Sequence, residues 1–182
     1  MKLLLLLLLF MMSLGSVTCI NAQDSHSMID TLKGKKASYY LLKHKRQITA
    51  TNIHNVDTTR DMYFDNGKMV PGDWELGGEV KYTWDEISKT VKEVLTSDEW
   101  NTLVNAGVGF LQIWIVADKA GNSLEIDFTF RNNDPVFTKI DPDRLFQLEV
   151  KLKNLLKIEI GERDRNIKNV KYFVALSYSE LK

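Results

Sequence analysis

The chain has 182 residues, 44% of them hydrophobic, with 24 basic and 24 acidic side chains. Balanced charge gives the protein no global attraction to nucleic acid or to an anionic membrane surface, and this length suits one domain behind a short leader. Cys19 is the single cysteine, which excludes a disulfide within the chain.

Met1-Lys2 supplies a basic start, Leu3 to Met12 an unbroken apolar run, and Ile20-Asn21-Ala22 a small residue at its end. These are the three parts of a secretory signal, so residues 1–22 are expected to be a signal peptide cleaved after Ala22. The apolar run is too short to cross a bilayer, which takes roughly 20 residues, so no transmembrane segment is expected in the mature chain. An uncleaved anchor is disfavoured for that reason. A lipoprotein route through Cys19 is disfavoured because Thr18 stands where Gly, Ala or Ser is normal. The expected destination is the periplasm or the cell surface, and loss of Cys19 with the leader leaves no thiol and no redox chemistry.

Residues 23–36 read as a polar, flexible lead-in, followed by a single α+β domain over 37–182. Ala37 to Leu42 and Arg46 to Ile53 are strand-like, rich in Tyr, Leu, Ile and Thr. Around them lie Lys33, Lys35, Lys36, Lys43, Lys45 and Arg46, with no acid between Thr31 and Val56. This basic stretch is a candidate grip for an anionic glycan or headgroup. The alternative is that the lysines guard exposed strand edges against aggregation. Nucleic acid is not expected as a partner of an exported chain.

Asn55 to Gly78 is punctuated by Asn66-Gly67, Pro71-Gly72 and Gly77-Gly78, which is turn chemistry. Asp57, Asp61, Asp65 and Asp73 fall there too, but their spacing does not match the alternating ligands of a calcium loop. They read as solvated acids. Trp84 to Leu95 is helical, with Trp84, Ile87, Val91, Val94 and Leu95 on one buried stripe. Ser97 is expected to cap a second, shorter helix with Trp100, Leu103 and Val104 on its apolar side, and Gly107 to stop it.

Val108 to Ala117 and Asn122 to Phe130 read as a hairpin joined by Asp118-Lys119-Ala120-Gly121, with Gly121 as the left-handed residue of the turn. A four-residue loop sets Leu111, Ile113 and Ile115 opposite Phe128, Ile126 and Leu124, one continuous apolar side. The other side then carries Gln112, Trp114, Glu125 and Asp127, with Trp114 opposite Glu125. A large aromatic among acids is a candidate contact surface, unless N-terminal strands or a loop cover it. Asp141-Pro142-Asp143 opens a last helix whose apolar side is Leu145, Leu148, Leu152, Leu155 and Leu156. Glu149 lies about 60° from the centre of that stripe. It is either a functional carboxylate or the partner of Lys153 one turn on. Lys157 to Gly161 and Val170 to Tyr178 read as two further strands.

Signals for catalysis are weak, and the sequence leans against an enzyme without deciding it. His26, His44 and His54 have no partners at metal-ligand spacing, there is no Gly-x-Ser-x-Gly elbow, and Gly107-Val108-Gly109 lacks the rest of a phosphate loop. No cofactor and no metal are expected.

The segment Val108-Gly109-Phe110-Leu111-Gln112-Ile113-Trp114-Ile115-Val116-Ala117-Asp118-Lys119-Ala120-Gly121-Asn122 resembles the first strand and turn of TonB C-terminal domains. The second strand, the loop through Pro135 and the helix from Pro142 continue in the same order. The similarity runs from about Ala106 to Ile160 and looks most like small exported Bacteroidota proteins of unassigned function. A preceding Tyr-Pro is absent, and Arg131-Asn132-Asn133-Asp134-Pro135 replaces the small-residue segment of that family. There is no anchor with a Pro-rich spacer, so energy transduction is not implied. The resemblance implies an α+β sheet that binds a peptide or protein segment at a strand edge or sheet face. The function expected is therefore a non-catalytic binding or adaptor module of the cell envelope. The rival is a small glycan-acting enzyme, or an inhibitor of one, gripping an anionic polymer through the basic stretch. A homodimer through the Trp114 side is a third possibility.

Overall fold

In the computed structural model the described residues are 27–57 and 61–181, so the expected signal peptide, residues 1–22, lies outside them. An antiparallel sheet of six strands runs in the order β1-β2-β3-β6-β5-β8, with β1 Ser27–Lys33, β2 Ser38–His44, β3 Gln47–Asn52, β5 Phe110–Ala117, β6 Ser123–Arg131 and β8 Val170–Ser177. β4 (Glu79–Lys81) and β7 (Lys157–Glu159) form a separate short ribbon. Three helices, α1 (Trp84–Val94), α2 (Ser97–Ala106) and α3 (Pro142–Leu155), complete the expected α+β architecture. α1 packs on α3 and β8, and α3 packs on β6 and β2.

The helices cover one side of the sheet because alternate strand residues supply a continuous apolar surface there. Tyr39 and Leu41 of β2, Ala50 of β3, Ile113 and Ile115 of β5, Phe128 and Phe130 of β6 and Val174 of β8 are all buried. Leu145, Leu148 and Leu152 of α3 and Ile87 and Val91 of α1 meet them. Each buried Val, Leu, Ile or Phe among them stabilises the fold by roughly 1.5–3 kcal/mol relative to exposure.

Local signals set the helix ends. Thr83 and Thr96 each close a capping box, with Glu86 and Glu99 three residues on. The second helix is therefore capped by Thr96, not by Ser97, because a capping box needs an acid three residues after the cap and Glu99 has that spacing from Thr96. Gly107 stops the helix with φ +60°. α3 begins as expected, with Asp141 accepting from the Asp143 N–H and Pro142 in the first turn. Trp84 departs from the expected stripe. It stays 43% exposed at the first turn of α1, edge-on against Tyr82, while Ile87, Val91, Val94 and Leu95 are buried.

Two strand expectations are corrected. Ser27–Lys33, expected inside an unpaired lead-in, is β1, an edge strand paired to β2 with an irregularity between Met28 and Asp30. An edge strand needs little apolar pattern, since a neighbour supplies its backbone bonds, and here the half-buried Leu32 packs against the core. The β5–β6 register is displaced by two residues: Leu111, Ile113 and Ile115 oppose Phe130, Phe128 and Ile126. The turn closes Asp118 on Asn122, and a bulge after Val116 leaves Leu124 unmatched and exposed. Being even, the displacement keeps each side chain on its expected face. It gains Phe130 as a core partner for Leu111 and gives up only Leu124. Gly121 takes φ +81° as expected, and a Cβ there would collide with the Ile158 carbonyl oxygen.

Candidate functional site

Partners across an antiparallel ladder share a face, so the side of the sheet away from the helices can be followed strand by strand. One row runs Thr31, Tyr40, Thr51, Asp127, Trp114, Phe173 from β1 to β8. The next runs Leu42, Thr49, Thr129, Gln112, Ala175. Gln112, Trp114, Glu125 and Asp127 thus do share one face, but Trp114 opposes Asp127, and Glu125 opposes Val116. The two-residue register displacement is the reason. β2 and β3 extend this face sideways and do not lie over it.

A loop does engage part of the face. Glu125 accepts from the backbone N–H groups of Val56 (2.9 Å) and Asp57 (3.1 Å) through its two oxygens. The Asn55 amide donates to Asp127 Oδ1 at 2.9 Å and to the Ile126 carbonyl at 3.2 Å. Lys171 Nζ, from β8, donates to Asp57 Oδ1 at 2.5 Å and to the Asp61 carbonyl at 2.6 Å. Carboxylates and a lysine of the sheet therefore clasp residues 55–57 and 61. Burial pushes the Asp127 carboxyl up to about 6, against the opposing effect of hydrogen bonds from Asn55 and Thr51.

Beside the clasp the face ends in aromatics. Trp114 and Phe173 contact at a ring-centroid distance of 5.1 Å and a 35° interplanar angle, and Phe173 is 57% exposed. Trp114 itself is half-buried. Phe173 was not singled out from the sequence. The signal was there in the alternation of the last strand, but placing it beside Trp114 required the β5–β8 pairing.

The basic stretch is not brought together. Lys33, Lys35 and Lys36 stand at the β1–β2 turn, and Lys43, Lys45 and Arg46 at the β2–β3 turn, all exposed. A seven-residue strand separates the two groups by about 20 Å. The four loop aspartates are likewise dispersed: Asp57 pairs with Lys171, and Asp65 with Lys119 at 2.5 Å. No group of three or more His, Cys, Asp or Glu among the described residues is arranged to hold a metal ion.

Three buried acids have structural partners. Glu149 accepts from Tyr39 Oη (2.6 Å), Asn52 Nδ2 (3.0 Å) and Lys153 Nζ (2.6 Å), so the expected Lys153 pair is one contact of three. Asp164 accepts from Trp74 Nε1 and from the backbone N–H groups of Gly77 and Gly78, anchoring the glycine turn. Asp134 caps the Val136–Phe137 backbone and accepts from Tyr178 Oη. A shallow cleft of about 440 Å³ lies where α1 meets α2, lined by Lys92, Leu95, Trp100 and Val104 among others, and contains none of the expected site residues.

No protein-family model matches the chain, and no curated protein matches it. Among solved structures, the fold is similar to the crystal structure of a DUF5043 family protein from Bacteroides uniformis, with a TM-score of 0.66 at 17% identity, covering 89% of this chain and 92% of that one. The likeness extends across the sheet and helices and concerns the fold. The neighbour is a Bacteroidota protein of a family whose function is unknown, in line with the class expected from the sequence. No helix among the described residues is long and apolar enough to cross a membrane.

Proposed function

We propose that this chain is an exported, non-catalytic binding or adaptor module of the cell envelope, docking a protein or peptide segment on the sheet face around Trp114 and Phe173. The observation that carries this reading is the exposed Phe173 ring seated on Trp114 at the sheet margin. A rigid aromatic pair offers large contact area at little entropic cost. The neighbouring clasp supports the reading. Glu125, Asp127 and Lys171 fix the adjoining loop, so a ligand beside Trp114 would meet a pre-organised wall. The leader, Leu3 to Ala22, supports export. The resemblance of the β5–turn–β6–α3 segment to TonB C-terminal domains adds the habit of binding an extended segment at a sheet face or edge. The rival, a glycan-acting protein gripping an anionic polymer, draws less support, because its six basic residues stand at two ends of β2.

Photocrosslinking in the native cell tests the proposal, with the photoreactive residue at position 114 and, as control, at the exposed Lys168. A discrete adduct from position 114 alone is the expected result. Failure to crosslink, together with a Trp114 shielded from an aqueous quencher, would overturn it. Salt separates the rival, since polymer gripping weakens steeply as ionic strength rises.

A further inference from the structure

The two edges of the six-stranded sheet are finished differently. β1 is irregular between Met28 and Asp30 and carries the exposed charges of Asp30 and Lys33, features that discourage edge-to-edge pairing. β8 is eight residues long, with a regular register to β5 from Val170 to Ser177 and Lys171 as its single charge. That lysine turns inward to Asp57, and its side chain is only 8% exposed. Among the described residues, no strand pairs with the outer side of β8.

The bond from the Tyr178 N–H to the Gly109 carbonyl fixes which residues of β8 face β5. Phe110 and Ser177 are then a non-hydrogen-bonded pair, and by alternation the N–H and C=O groups of Phe173, Ala175 and Ser177 point away from the sheet. Among the described residues, no backbone hydrogen bond meets these outward groups. Their side chains lie on the candidate face in the order large, small, small.

We propose that β8 pairs antiparallel with β8 of a second copy of this chain, about a two-fold axis through Ala175, making one continuous twelve-stranded sheet. In this register Ala175 opposes its own copy, and Phe173 opposes Ser177 of the other chain, so each bulky ring meets a small residue. About six backbone hydrogen bonds close the ladder. Lys171 and the clasped loop lie outside the paired segment. The same strand serves both copies, which is the requirement for a closed, isologous dimer. The pairing concerns the backbone edge and stands independently of any envelope partner on the Trp114 face.

Sedimentation equilibrium of the purified protein tests the pairing, against Ala175→Pro and Ala175→Lys. The proline removes only an outward N–H, which edge strands tolerate, and the lysine places a charge on the axis. The expected result is a dimer for the unaltered protein, and a dimer dissociation constant at least tenfold weaker in each variant that retains the native circular dichroism. Ala175→Cys should in addition form a covalent dimer under mild oxidation, because paired Cα atoms about 5.5 Å apart lie within disulfide reach. A monomer at all concentrations up to about 1 mM, or a dimer that Ala175→Lys leaves intact, would overturn the proposal. An adduct from position 114 at twice the chain's mass would report the second copy, and one of any other mass a different partner, so the two readings fail separately.

Discussion

Glu149 and Asp127 are carboxylates on opposite sides of the same sheet, close enough that the Glu149 charge disfavours that of Asp127. Glu149, on the helix side, is 2% exposed and meets a phenol, an amide and an ammonium. Asp127, on the other side, has hydrogen bonds from Asn55 and Thr51, and its carboxyl is pushed up to about 6. The difference teaches that depth alone does not decide the cost of a buried acid; the partners do. Glu149 belongs to the stability of the fold. Asp127 is held where ionisation is costly.

Breaking the better-paired acid should have the largest effect. Glu149→Ala leaves the Tyr39 hydroxyl and the Asn52 amide without their acceptor in the core, and is expected to cost about 3 kcal/mol in urea unfolding. A loss below about 1 kcal/mol would mean that these groups find water and that the network is dispensable.

Asp127→Asn should go the other way. The folded value near 6 lies above the roughly 3.9 of an unfolded aspartate, so the native state binds the proton more tightly. The stability this group contributes is fully present below about pH 4 and is lost as pH rises through 6. At pH 8 the amide, which carries no charge to desolvate, is expected to stabilise the protein by on the order of 2 kcal/mol, and the gain should shrink towards pH 4. Thermal melts of both proteins across that window check the sign. A destabilised variant at pH 8 would show that the ionised carboxylate holds the Asn55 loop more strongly than burial penalises it.

Lys153→Ala removes only a half-buried ammonium from Glu149 and should cost about 1 kcal/mol, less than loss of the acid itself. An equal cost would assign most of the network's strength to the ion pair. Phe173→Ala is the smallest change for the fold, under about 1 kcal/mol by chemical denaturation, since the ring is more than half exposed. A larger loss would make Phe173 a structural residue and weaken its reading as a docking group.

Much of this molecule was legible locally. Asp141 with Pro142 and Gly121 at the turn each act within a few residues, and the chain's own spacing exposes them, whereas the cap of the second helix was placed one residue late, at Ser97 instead of Thr96. The division of the β5–β6 hairpin into an apolar side and a Gln112–Trp114–Asp127 side was also readable, because it depends on parity alone. The register was not, since a bulge beside the turn shifts pairing by whole residues while leaving parity intact. Nor was the fate of the basic stretch. Six basic residues between Lys33 and Arg46 become two distant groups once β2 runs between two turns.

The sequence by itself determined the periodicities, the helix caps, the turn glycines and the side of the sheet on which each candidate residue stands, since these depend on neighbours within a turn or a strand. Only the tertiary structure decided which strand lies beside which. That choice set Phe173 against Trp114, laid Asn55 on Asp127, enclosed Glu149 with Tyr39 and Asn52, and left β8 at an edge. Those contacts join residues far apart in the chain, and they follow from the order in which the strands pair.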